Sequence, residues 1–106
     1  MSAEQGFALH PLAAQDISRI WEFIAEDNPL AARRVREEIL STLRGLVAFP
    51  HQGHRRRDLT SRSLRFILVR EYLIAYAPDE NPLWVVAVMH GRRNPRLMAA
   101  ILRGRE

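Results

Sequence analysis

The apolar residues of this chain change period once along its length. From Pro11 to Leu46 they recur at helical spacing. Leu12, Ile17, Ile20, Trp21 and Ile24 gather on one side of a first segment whose other side carries Gln15, Asp16, Arg19, Glu22 and Glu26. Asn28-Pro29 then reads as an N-cap followed by a first-turn proline. A second stripe follows: Ala32, Val35, Ile39, Leu43 and Leu46, with Arg33, Arg34, Arg36, Glu37 and Glu38 largely outside it. So short a connection forces the two helices antiparallel, which predicts a helical hairpin. Ahead of it, Phe7-Ala8-Leu9 reads as a short edge strand, ended by His10-Pro11.

After Pro50 the chain turns polar through Ser61, the one long loop, and the period becomes strand-like. Ser63 to Val69, Tyr72 to Ala77 and Leu83 to His90 are rich in β-branched and aromatic residues, separated by Arg70-Glu71 and by Pro78-Asp79-Glu80-Asn81-Pro82. Connections this short give an antiparallel meander. Asn94-Pro95 repeats the cap-plus-proline signal and opens a short last helix, carrying Leu97 and Ile101 and closing near Gly104. The expected fold class is α+β: an N-terminal strand, an antiparallel helical hairpin packed on a small antiparallel β-sheet, and a short C-terminal helix, all in one domain over residues 1–106.

The strands are apolar on both faces. Strict alternation sets Trp84, Val86 and Val88 against Val85, Ala87 and Met89, and Tyr72, Ile74 and Tyr76 against Leu73, Ala75 and Ala77. The hairpin covers one face. For the other, two covers are open: a partner chain or second copy, or the last helix and the long loop folded back.

Charge changes this picture. Residues 1–50 carry five Arg against seven Asp/Glu, a net of −2, and residues 51–106 carry eleven Arg against five, a net of +6; together they make the chain's +4. There is no lysine. Arginine's planar fork suits phosphates and carboxylates, so the second half is expected to meet nucleic acid or an acidic protein segment. The remaining composition is that of an ordinary globular protein. With no cysteine there is no disulfide framework or zinc ribbon. Met1 to Gly6 lacks a signal-peptide pattern, and no apolar run approaches the ~20 residues of a spanning helix, so a cytoplasmic protein away from membranes is expected.

No Gly-rich phosphate loop, HExxH or nucleophile elbow is present, so neither cofactor nor metal is expected. His51 and His54 lack further ligands and read as polar loop residues. Three features carry candidate chemistry. Arg55-Arg56-Arg57 is a basic tripeptide in the loop, fit for phosphate contact or simple solvation. Arg65 is a charge inside an apolar strand, which must find an acceptor, face a ligand or pair with a helix carboxylate. His90-Gly91-Arg92-Arg93 ends the last strand, and a histidine beside arginines is the minimum set for metal-free RNA cleavage through the 2′-hydroxyl. A clear second acid or base is missing.

Taken together, several stretches resemble the RelE/ParE family of type II toxin–antitoxin toxins, and its ParE branch more closely. They are Leu9 to Ile17, Ile20 to Ala25, Asn28-Pro29 with Ala31 to Arg33, Phe49-Pro50 with Gly53, Leu64-Arg65, Tyr72 to Tyr76, and Val86 to Arg93. The resemblance implies a growth-inhibiting toxin neutralised by a cognate antitoxin with an acidic, disordered tail that supplies apolar cover and negative charge. ParE-like members poison DNA gyrase, whereas RelE-like members cut mRNA on the ribosome with basic residues, often lysines, and a C-terminal tyrosine. This chain has no lysine and no tyrosine after Tyr76. Gyrase inhibition without catalysis is therefore favoured over an endoribonuclease that would use Arg65, His90, Arg92 and Arg93, and over a basic binding domain with no toxic output. The surface expected to meet target or partner comprises Arg55, Arg56, Arg57, Arg65, Tyr72, Tyr76, His90, Arg92 and Arg93.

Overall fold

All three helices begin the same way: a polar side chain satisfies a first-turn N–H and proline fills the first helical position. The computed structural model describes residues 5–106. His10 Nδ1 accepts from the Leu12 N–H at 3.0 Å, Asn28 Oδ1 from Ala31 at 3.0 Å and Asn94 Oδ1 from Arg96 at 2.8 Å. The elements run β1 (Phe7–Leu9), α1 (Pro11–Ala25), α2 (Pro29–Ala48), β2 (Arg65–Val69), β3 (Tyr72–Ala77), β4 (Leu83–His90) and α3 (Pro95–Arg103). The α+β layout expected from the periodicity is present. On α2, Ala32, Val35, Ile39, Leu43 and Leu46 are all buried. On α1 the inward stripe is Ala13, Ile17, Ile20 and Ile24, and Leu12 and Trp21 stand at its margin, substantially exposed.

The four-stranded sheet has the order β1-β4-β3-β2. The β2–β3–β4 meander is antiparallel as expected, and β1 adds to the edge of β4 in parallel, pairing Phe7, Ala8 and Leu9 with Leu83, Trp84 and Val85. The β2–β3 turn places Arg70 at φ 54°, and its guanidinium grips the Glu38 carboxylate of α2 through Nε at 3.0 and 2.9 Å. That pair lowers the Glu38 pKa and ties the turn to the hairpin.

Strict alternation along β4 does not hold. Tyr76 pairs with Val85 and Ala75 with Ala87, so Val86 is the extra residue of a β-bulge. Beyond it the phase slips by one. Val85 and Val88 share the core under the hairpin, whereas Trp84, Val86, Ala87 and Met89 face the other way. That second face is not left for a partner: Met98 and Leu102 of α3, with Leu59 and Leu64 of the long loop, bury it. The terminal-helix alternative is the correct one, and no antitoxin or second copy is needed to complete the core.

Beyond Val85, β1 has turned away into α1, and the edge of β4 lies open. Here Asp16 Oδ2 accepts the Val88 N–H at 3.0 Å, and Arg105 Nη1 donates to the Val86 carbonyl at 3.2 Å. The two side chains are themselves paired, Arg105 Nη2 to Asp16 Oδ1 at 3.0 Å, and are only 14% and 11% exposed. They complete the bonding of an edge that would otherwise template aggregation, and they hold the end of α3 against α1. Asp16→Ala is expected to lose on the order of 3 kcal/mol, since it strands a half-buried guanidinium and an N–H together. Asp16→Ala/Arg105→Ala should cost less than the two single changes summed. Denaturant unfolding of the four proteins checks this.

Candidate functional site

The residues picked out in the sequence fall at two ends of the sheet. Arg65 pairs with Tyr76, and Tyr72 pairs with His90. The two positions lie four steps apart along β3, which at strand rise is about 13 Å. Arg65 therefore does not join His90, Arg92 and Arg93, and the four-residue catalytic set is not assembled.

At the first end the arrangement is structural. Tyr76 is 0% exposed. Its hydroxyl donates to the Pro50 carbonyl at 2.7 Å and accepts the Gly53 N–H at 2.9 Å. Arg65 Nη1 donates to the Gly53 carbonyl at 2.8 Å, so this strand arginine finds a backbone acceptor in the loop. A Cβ on Gly53 would lie 2.6 Å from the Tyr76 hydroxyl, so only glycine allows the approach. Tyr76 thus leaves the set of partner-facing residues: it anchors the loop from beneath. The loop it anchors carries Arg55, Arg56 and Arg57 outward. Arg56 is bound to Asp58 at 2.9 and 2.8 Å, a contact that lowers the Asp58 pKa. His51 lies 3.3 Å from Asp79, and His54 bridges to Phe66 through backbone alone, so the two histidines form no joint site.

At the second end lies a groove of about 460 Å³ between α1, the end of the β3–β4 pair and α3. Ile20, Phe23, Met89 and Ile101 supply apolar walls, Arg19, His90 and Arg93 supply cations and donors, and two carboxylates also line it, Glu71 and the Arg105-paired Asp16. Phe23 is 75% exposed, the most exposed of the large apolar side chains among the described residues. The His90 ring meets Tyr72 edge-on at 5.7 Å, and its Nδ1 accepts the Arg92 N–H at 3.2 Å. Arg92 is exposed outside the groove lining. This mixed surface suits an amphipathic segment with acidic residues. Periodicity assigned Arg19 to the solvated side of its helix and passed over Phe23; their meeting with Arg93 and Ile101 spans more than seventy residues of chain and has no local signal. Among the described residues, no three His, Cys, Asp or Glu side chains gather to hold a metal, and no helix is long and apolar enough to cross a membrane.

The family model for the ParE toxin of the type II toxin-antitoxin system, parDE, matches residues 7–95. No curated protein matches the chain. The matched span includes both ends of the sheet and stops at the first residue of α3.

Burial, the largest influence on each phenol, raises both tyrosines above their ordinary value of 10.0; at Tyr72 the Glu71 carboxylate adds to it, and at Tyr76 the Gly53 N–H and Arg65 oppose it. The folded state thus holds protons that the unfolded chain releases, and stability is expected to fall as pH rises through the unfolded value near 10. These are the only two tyrosines, so phenolate absorbance should rise at a higher pH in the folded protein than in the chain unfolded by denaturant. Tyr76→Phe leaves the Gly53 N–H and Pro50 carbonyl without their partner and is expected to cost about 1–3 kcal/mol, read from denaturant midpoints.

Proposed function

Because the chain belongs to the ParE toxin family of type II toxin–antitoxin systems, we propose that it inhibits DNA gyrase by binding, without catalysis, and is neutralised by a cognate antitoxin. The observation that supports binding over RNA cleavage is the separation of Arg65 from His90. A metal-free ribonuclease needs a base, an acid and charge stabilisation around one phosphate. Here Arg65 is engaged with the Gly53 carbonyl about four strand positions from His90, and among the described residues no hydrogen bond joins His90 to Glu71 or Asp16, the carboxylates of its groove.

The antitoxin occupies the groove between α1, β4 and α3. Its apolar walls and the cations Arg19 and Arg93, which have no carboxylate partner among the described residues, suit an apolar segment punctuated by acidic residues, the chemistry of a tail that orders on binding.

Purified chain is expected to reduce supercoiling by gyrase and to trap its cleavage complex, and induction should leave translated mRNA free of codon-positioned cuts. Unchanged supercoiling, with such cuts present, would instead establish the endoribonuclease. Phe23→Ala should weaken antitoxin binding about tenfold or more while leaving the unfolding midpoint nearly unchanged, since Phe23 adds little to the fold. Titration calorimetry with the antitoxin tail checks this.

A further inference from the structure

The loop between α2 and β2 concentrates the chain's charge. Residues 51–66 contain Arg55, Arg56, Arg57, Arg62 and Arg65 against Asp58 alone, a net of +4, equal to the net charge of the whole protein. The segment is irregular but not loose. Tyr76 and Arg65 fix Pro50 and Gly53, two backbone bonds of 2.8 and 2.7 Å join His54 to Phe66, Leu59 and Leu64 are buried, and Arg62 Nη1 donates to the Leu102 carbonyl at 2.9 Å. A long irregular segment held this firmly presents its side chains on a preset frame.

Within residues 55–64 the frame encloses a bay of about 110 Å³. That is room for about three or four waters, the scale of one tetrahedral oxyanion rather than a sugar or base. Its lining is donor-rich. Arg55 and Arg57 have no carboxylate partner among the described residues, and the Ser61 and Ser63 hydroxyls make no hydrogen bond there. Asp58, the one acidic group on the segment, is already taken by Arg56.

We propose that this bay binds a phosphate of a nucleic-acid backbone, independently of base sequence. Guanidinium forks and hydroxyls around one oxyanion are the groups that make such contacts. An acidic protein segment is the poorer fit, because the bay offers almost no apolar wall against which a peptide would pack, whereas the groove by Phe23 does. The inference stands apart from the gyrase reading and needs no catalytic step.

Fluorescence anisotropy of the full chain with short duplexes and single strands of unrelated sequence, over a salt series, tests it. Affinity should be independent of sequence and fall steeply with salt. Arg55→Ser/Arg57→Ser should weaken binding at least about tenfold and reduce the salt slope by about two. Arg33→Ser/Arg34→Ser, the same charge change on the exposed face of α2, should leave binding within about twofold. Ser61→Asp, which keeps every anchor of the loop, should abolish binding with the unfolding midpoint unchanged. Duplex or single strand binding more tightly identifies which backbone is held, and either supports the proposal. Equal losses from the two double variants, no binding, or complete displacement by poly-glutamate at equal charge concentration would each overturn it.

Discussion

The half-buried pair of Asp16 and Arg105 is the contact on which the remaining architecture turns. A strand that loses its neighbour midway leaves backbone donors and acceptors facing outward, and a bulge at the same place worsens the mismatch. Asp16 and Arg105 meet the Val88 N–H and the Val86 carbonyl where β1 has left the sheet. Their partnership also fastens the chain beyond α3 to α1. With the end of α3 held, Met98 and Leu102 stay on the second sheet face and the two cores close on either side of one sheet.

That closure decides where interaction surfaces can lie. Both sheet faces are filled from within the chain, so neither is open to a partner, and two sites outside them differ in chemistry. The groove beside Phe23 joins apolar walls to a few cations; the bay in the 55–64 segment is small, polar and dense in arginine. One suits a segment that folds as it binds, the other a point contact with an oxyanion. Tyr76 helps to keep the two sites apart. By fixing the loop from beneath, it keeps Arg55, Arg56 and Arg57 at one end of the sheet while Tyr72 and His90 stand at the other.

The absence of lysine takes on a narrower meaning in this setting. Composition alone weighs against a lysine-based cleavage set. The sheet register adds a geometric reason, since the arginine placed to replace it is hydrogen-bonded to a loop carbonyl and lies remote from the histidine.

What the sequence determined by itself was whatever depends on neighbours within a turn or a pleat. The stripe of α2, the Ile17, Ile20 and Ile24 part of the α1 stripe, the cap-plus-proline starts at Asn28 and Asn94, the limits of Tyr72–Ala77 and Leu83–His90 and the basic loop were legible because their signals are local. The family resemblance was legible for the same reason, as an order of such local pieces. What only the tertiary structure decided was every relation between distant residues. Asp16 reads as one more polar residue on a helix surface, and nothing near it announces a partner eighty-nine positions away. The Val86 bulge shows only when β4 is set against β3, because its cause is a mismatch of register between strands. The same holds for Arg65 and Tyr76: the strand pattern showed that Arg65 needs an acceptor, but only the folded loop brings the Gly53 carbonyl to it and the Pro50 carbonyl to Tyr76. Side-chain period fixes which way a residue points; only packing fixes what it meets.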